Sequence, residues 1–258
     1  MIPYAQFLSG IFSAVLGAVV GSFLNVCIHR IPSGESIALP ASHCPDCGHP
    51  IRLYDNIPIL SYLFLRGRCH NCGERISPIY PAVELLAAVI SVLLFGRYGL
   101  SGAYLASFLF TCALIVITFV DLKHQIIPDA ITLPGIPLFA LAAVFFTDVT
   151  FRDSLIGILA GGGFLFLVAL GYQLMTKREG MGGGDIKLLA MLGGFLGWQS
   201  LWFIIMTASL AGAVAGIFFM IARGKDTKYA IPFGPFLSIA AVAYIFLGDP
   251  LMRGIFLR

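Results

Sequence analysis

Charge is what this chain has least of: only 11% of its 258 residues are charged, against 59% hydrophobic, and the mean hydropathy is +0.93. A soluble domain of this length needs far more polar surface, so the composition excludes one. The net charge is only +3, and no run of Lys and Arg is dense enough to track a phosphate backbone, which argues against nucleic acid as a partner. A basic n-region and a small-residue cleavage site are also missing from MIPYAQFLSGIFSAVLGAVVGSFLNVCIHR. That stretch reads as a retained first span rather than a secretory signal. No G-x-G-x-x-G lies between a strand and a helix, so a Rossmann-type nucleotide site is unsupported. No clear internal repeat is visible.

What the chain does have is apolar runs of about 17 to 25 residues, the length that crosses a bilayer as a helix with every backbone amide satisfied internally. The expected fold is an all-α polytopic membrane protein of about eight transmembrane helices, near residues 5–28, 79–95, 101–120, 129–146, 153–175, 186–198, 201–222 and 230–247. The sixth is short and broken by glycine (MLGGFLGW). Eight spans sort the connecting segments into two sets. One holds Arg30, Arg52, Arg66, Arg68, Arg75, Lys123, Lys177, Arg178, Lys187, Arg223, Lys225 and Lys228; the other holds Arg97, Arg152, Arg253 and Arg258. Basic residues stay cytoplasmic when short loops insert, so both termini are expected outside and residues 29–78 in the cytoplasm. Three parts follow: a first span (1–28), a cytoplasmic module (29–78) and a seven-helix core (79–258). Small-residue pairs, Gly157 with Gly161 and Gly212 with Gly216, have the spacing that lets membrane helices approach closely, and read as packing.

The cytoplasmic module carries HCPDCGHP and RCHNCGE. Cys44, Cys47, Cys69 and Cys72 thus form two C-x2-C pairs, each followed by a glycine (Gly48, Gly73) that suits a tight turn. Four thiolates in a tetrahedron describe a structural Zn2+ site with no open position. Two disulfides or four free thiols are the alternatives; a reducing cytoplasm argues against disulfides. About fifty residues with little apolar surface would draw much of their folding free energy from the metal. His43, His49 and His70 read as exposed neighbours of a full shell. Cys27 and Cys112 read as buried small side chains.

Acids near a bilayer each need an explanation. Glu84 sits near the start of the second span, where it would pair with a basic loop residue or orient a catalytic group. Asp121 ends the apolar run CALIVITFV. Asp129 follows Pro128 and suits the start of the fourth span. Asp185 follows Gly182, Gly183 and Gly184, whose backbone freedom opens the chain beside it and lets another chain lie against it. Lys187 is a charge neighbour. On the expected topology Asp121 and Asp185 lie at one membrane face, and two close carboxylates share a proton, one staying ionised while the other stays protonated. That division of labour hydrolyses peptides in aspartic proteases. A proton-coupled transporter is the rival reading, although it places its acids at the midplane of paired repeats. A non-catalytic membrane scaffold with a zinc module is another.

In order along the chain, GSFLNVCIHRIP from Gly21, the four cysteines, DNIPILSYLFLRGRC from Asp55, ISPIYPAVE ending at Glu84, DLKHQIIPD from Asp121, GMGGGDIKL from Gly180 and PFGPFLS from Pro232 resemble the type IV prepilin peptidase family. These are bifunctional leader peptidases and N-methyltransferases of the bacterial inner membrane, among the GxGD intramembrane aspartyl proteases. The resemblance covers nearly the whole chain. It implies Asp121 and Asp185 as the catalytic pair; Gly182, Gly184, Glu84, Asp129 and Lys187, from their settings beside these acids and span ends, are expected to support it. It also implies structural zinc on the four cysteines and S-adenosylmethionine as methyl donor. The implied substrates are prepilins and pseudopilins of type IV pilus and type II secretion systems, cut after a leader-ending Gly and methylated at the new N-terminal residue, usually Phe. The cytoplasmic segment and the GSFLN end of the first span are where methyl transfer is expected.

Overall fold

The computed structural model describes residues 4–176, 182–223 and 232–256; Lys177, Arg178, Lys225, Lys228 and Arg258 lie outside the described residues. The described residues are mostly helical, without strands beyond two isolated bridges. The chain divides into two compact units, Met1–Val116 and Ile117–Arg258.

In the first unit, α1 (Tyr4–Arg30) is followed by a 3-10 turn (Leu53–Asn56), a short α2 (Leu60–Phe64), α3 (Ile79–Tyr98) and most of α4 (Gly102–His124). α1 and α3 touch through backbone because glycine faces them: a Cβ on Gly17 would stand 2.6 Å from the Ala88 Cα, and one on Gly21 2.7 Å from the Glu84 Cα. Small residues are how membrane helices gain contact where lipid supplies no hydrophobic drive. A buried hydroxyl cluster adds polar adhesion: Ser91 Oγ lies 2.9 Å from Ser13 Oγ and 2.7 Å from the Tyr104 hydroxyl. α4 starts with Ser101 accepting the Tyr104 N–H at 3.2 Å, an N-cap.

The second unit holds the end of α4, then α5 (Asp129–Phe146), α6 (Phe151–Thr176), α7 (Gly183–Leu196), α8 (Gln199–Arg223) and α9 (Gly234–Phe256). α6 opens on a reciprocal cap, the Thr150 hydroxyl donating to Asp153 Oδ2 at 2.7 Å and accepting the Asp153 N–H at 3.1 Å. α7 is the innermost element, with Leu188 to Phe195 all buried. Its closest neighbour is α6: a Cβ on Gly157 would fall 2.0 Å from the Gly193 carbonyl oxygen, and one on Gly161 2.6 Å from that of Leu189. The packing role read for Gly157 and Gly161 is thus a backbone-to-backbone seam. Gly212 differs, since a Cβ there meets only Phe236 and Phe233 side chains at ordinary contact.

Each of the eight expected spans falls on a helix. Six of them, α1, α3, α4, α5, α6 and α8, are long and apolar enough to cross a membrane. α7 has 14 residues, about 21 Å of helix, and α9 offers a shorter apolar stretch, Gly234–Gly248. Shortness suits α7 because its neighbours, not lipid, cover it.

Candidate catalytic and metal sites

The two cysteine pairs fold into matching loops. Gly48 N–H donates to the Cys44 carbonyl at 2.9 Å and Gly73 N–H to that of Cys69 at 3.0 Å. Cys44 N–H in turn reaches the His49 carbonyl, and Cys69 N–H that of Glu74. Gly48 and Gly73 have φ of 68° and 74°, the left-handed conformation that only glycine takes without cost. The four Sγ atoms lie within 4.8 Å of one another, and Cys44 Sγ is 3.9 Å from Cys72 Sγ. Tetrahedral zinc at Zn–S of about 2.3 Å separates sulfurs by about 3.8 Å; the cluster fits. N–H groups of Cys72 and Asn71 hold the Cys69 thiol down at about 7, and those of His49 and the Asn71 amide lower Cys47. Their partners in the cluster move the other way, Cys44 upward and Cys72 to about 12, because neighbouring thiols that share hydrogen bonds cannot all lose their protons together without a cation between them. His43 turns its Nδ1 to the Ala41 carbonyl at 3.1 Å, and His70 lies 3.4 Å from Asp55. Cys27 and Cys112 are buried in helices.

Asp121 sits in the last turn of α4 and is 5% exposed. Gln125, with a φ of 55°, donates its N–H to the Asp121 carbonyl at 2.8 Å. That left-handed residue ends the helix, and Pro128 turns the chain into α5. The carboxylate meets another helix start: Gly234, first residue of α9, donates its N–H to Asp121 Oδ2 at 3.0 Å. A Cβ on Gly234 would lie 2.7 Å from that oxygen, so only glycine lets the backbone come this close. The bond satisfies one of the orphan amides of the α9 N-terminus.

Asp185 lies in the first turn of α7, with Gly182 as N-cap, beside the positive end of that helix. It is half-buried, and the two carboxylates are near enough for their charges to interact. Gly183 and Gly184 are helical, so the backbone break expected across the three glycines is absent from them; only Gly182, extended at the cap, departs from the helix. Of the three, only Gly184 has a steric reason to lack a side chain: its Cβ would stand 2.8 Å from Ile127 Cβ. Ile127 also comes within 3.2 Å of a Cβ placed on Gly234. One isoleucine from the α4–α5 link therefore packs against the starts of both α7 and α9. The sequence reading missed Ile127 and Gly234. The signal for Gly234 was P-F-G-P immediately before an apolar helix.

Lys187 pairs with Asp129 Oδ1 at 2.5 Å, joining the first residue of α5 to α7. Asp129 is the first helical residue, with Pro128 at the cap position and no side-chain cap. Both members are partly exposed, so the pair contributes little to stability. Glu84 belongs to the first unit. It is buried, accepts the Ile59 N–H at 2.7 Å and has the Ser22 hydroxyl beside it. Nearby, Asn25 Nδ2 donates to the Tyr80 carbonyl at 3.1 Å.

A polytopic helical membrane protein with a tetracysteine module and two interacting carboxylates at helix ends has the parts of a membrane-embedded aspartic peptidase. Residues 15–98 match the family described as Bacterial Peptidase A24 N-terminal domain, and residues 108–217 match the Type IV leader peptidase family. Among similar proteins, the prepilin leader peptidase/N-methyltransferase of Pseudomonas putida is 39% identical, over 92% of this chain and 90% of its own. That of Aeromonas hydrophila is 40% identical (91% and 89%), and that of Pseudomonas aeruginosa 37% (93% and 90%). No solved structure matches the chain. The chain belongs to the type IV leader peptidase family, and is a multi-pass protein of the inner membrane.

Proposed function

We propose that this protein removes the leader peptide of type IV prepilins and pseudopilins through Asp121 and Asp185, then methylates the new N-terminal residue. The observation that carries the reading is the placing of two carboxylates within reach of each other's charge, one at the end of α4 and one at the start of α7, each beside a helix N-terminus. Membership of the family supports the reaction, and the relatives' shared name supports both halves of it. Neither a transporter nor a scaffold is favoured by any relative found.

In the aspartic-protease mechanism two neighbouring carboxylates share one proton. The ionised member takes a proton from the attacking water, while the protonated member donates a hydrogen bond to the scissile carbonyl. The Gly234 N–H fixes one Asp121 oxygen as an acceptor and leaves the other for this chemistry. Gly182, extended at the cap of α7 with open space where a Cβ would stand, leaves room for a peptide near Asp185, while Gly184 lets Ile127 pack against the same helix start. Lys187 pairs with Asp129 between α7 and α5, two residues along the helix from Asp185. The leader is cut after Gly, and the methyl donor is S-adenosylmethionine. The described residues contain no strand, glycine loop and helix of the dinucleotide type, so its site is not assigned to residues.

Cys44, Cys47, Cys69 and Cys72 would hold zinc, which would supply folding free energy to residues 29–78; four thiolate ligands would leave it no open position for hydrolysis. The module and both aspartates face the cytoplasm and both termini the periplasm, by the distribution of Lys and Arg. Incubating the purified enzyme with a prepilin in liposomes, with and without S-adenosylmethionine, and weighing the new N-terminus separates the two activities. Absence of any cleaved product from well-folded enzyme would refute the reading.

A further inference from the structure

Between the cysteine pairs runs LYDNIPILSYLF, Leu53 to Phe64, which neither the metal cluster nor the aspartates use. It is firmly built yet displays apolar side chains outward. Ser61 Oγ accepts the Ile57 N–H and donates to the Tyr54 carbonyl, both at 2.8 Å. Ile59, at φ 63° and ψ −49°, is the centre of a γ-turn closed by Leu60 N–H on the Pro58 carbonyl at 2.6 Å. That turn is rare and strained for a β-branched residue, and the Glu84 carboxylate holds it by the Ile59 N–H. Around this clamp Leu53 is 91% and Phe64 84% exposed, with Tyr54, Ile57, Leu60 and Leu63 also open.

Depth says what covers them. Glu84 lies five residues into α3, which begins at Ile79, about 7 Å along its axis. Its Cα faces Gly21, nine residues before α1 ends at Arg30, or about 13 Å. A backbone amide bonded to Glu84 therefore lies below the ends of both spans. Phe23, Leu85 and Leu86 are exposed near the same level on α1 and α3, apolar surface on two helices long and apolar enough to cross a bilayer. Arg52, Arg66 and Arg68 bracket the segment, and Asp55 is the only acid within it.

We propose that Leu53–Phe64 is a membrane-interface anchor. It dips Leu60, Leu63 and Phe64 into the acyl region of the leaflet nearest the zinc module and sets its arginines on anionic lipid headgroups. Glu84 is its clamp, tying the zinc module to the bilayer surface independently of what Asp121 and Asp185 do. Arginine stems lie along apolar surface while their heads reach phosphate, and juxtamembrane basic residues gain from anionic lipid.

The test places a fluorescent reporter at the tip. Full-length protein with Trp198→Phe and Trp202→Phe receives Phe64→Trp, or separately Glu74→Trp on the zinc module as the aqueous reference. Each is reconstituted in phosphatidylglycerol-containing liposomes and checked for about one zinc per chain. Lipid brominated about 5–10 Å below the headgroups should quench the probe at 64 at least about twofold more than the probe at 74, with aqueous iodide showing the reverse order. Leu63→Trp gives the same readout if Phe64→Trp fails to fold. A probe at 64 that iodide reaches as easily as at 74, or that loses iodide access only when prepilin is added, overturns the proposal; the second result would make the surface a substrate dock.

Discussion

Replacing Gly234 by Ala puts one methyl group against the Asp121 carboxylate. The added Cβ would stand 2.7 Å from Oδ2, where ordinary contact begins at 3.4 Å, so oxygen and backbone must separate by about 0.7 Å, a displacement of the size that costs a positioned group its chemistry. The Gly234 N–H bond, now 3.0 Å, is lost with it. A hydrogen bond to a charged group is worth about 1.5–3 kcal/mol, and each 1.4 kcal/mol is about tenfold in rate. Gly234→Ala should therefore slow leader cleavage about 10- to 100-fold. Gly234 does not have a positive φ, so alanine strains no dihedral and the variant should still insert and keep its zinc. The assay is the kcat/KM for a prepilin in liposomes, with Gly163→Ala as control because nothing lies within 4 Å of a Cβ there. Equal kcat/KM for Gly234→Ala and wild type would refute the claim that this glycine positions Asp121.

Three further outcomes follow from other parts of the molecule. Gly157→Ala drives a methyl group to 2.0 Å from the Gly193 carbonyl; α6 and α7 must part, and thermal unfolding in detergent should show a loss of about 1–3 kcal/mol or more, with an unchanged melting temperature counting against the seam. Cys44→Ser with Cys69→Ser should remove the single zinc, measured by elemental analysis. In the wild type, zinc should be held at neutral pH and released as pH falls, because protons displace metal from thiolates; retention of zinc in the double variant would contradict the ligand set. Asp129→Ala and Lys187→Ala, with their double variant, should give a stability coupling of only about 0.2–1 kcal/mol, and a coupling several times larger would mean the pair is buried in the working enzyme.

The membrane helices were legible because each apolar run satisfies its own backbone and needs no partner to declare itself. α7 was legible only as a short, glycine-broken run. Its 14 residues make sense once α6 is seen to lie against it at Gly157 and Gly161. The cysteines announced their cluster by spacing alone, since a C-x2-C loop and its following glycine form locally. The aspartates were legible as charged residues beside lipid. Their supports were not: Ile127 is one apolar residue among many, and Gly234 becomes meaningful only when α9 brings its first amide to Asp121 across 113 positions of sequence. Glu84 was legible as an anomaly, yet its partner is a backbone N–H, to which sequence gives no clue.

The most direct test of the central claim is cleavage of a prepilin in liposomes by Asp121→Asn and Asp185→Asn, each shown to be inserted and zinc-bound, with the product N-terminus weighed. Asparagine keeps the shape and the Gly234 contact but can neither take up nor give back the shared proton. No cleaved product from either variant is the predicted result; cleavage at the wild-type rate by either one would contradict the dyad.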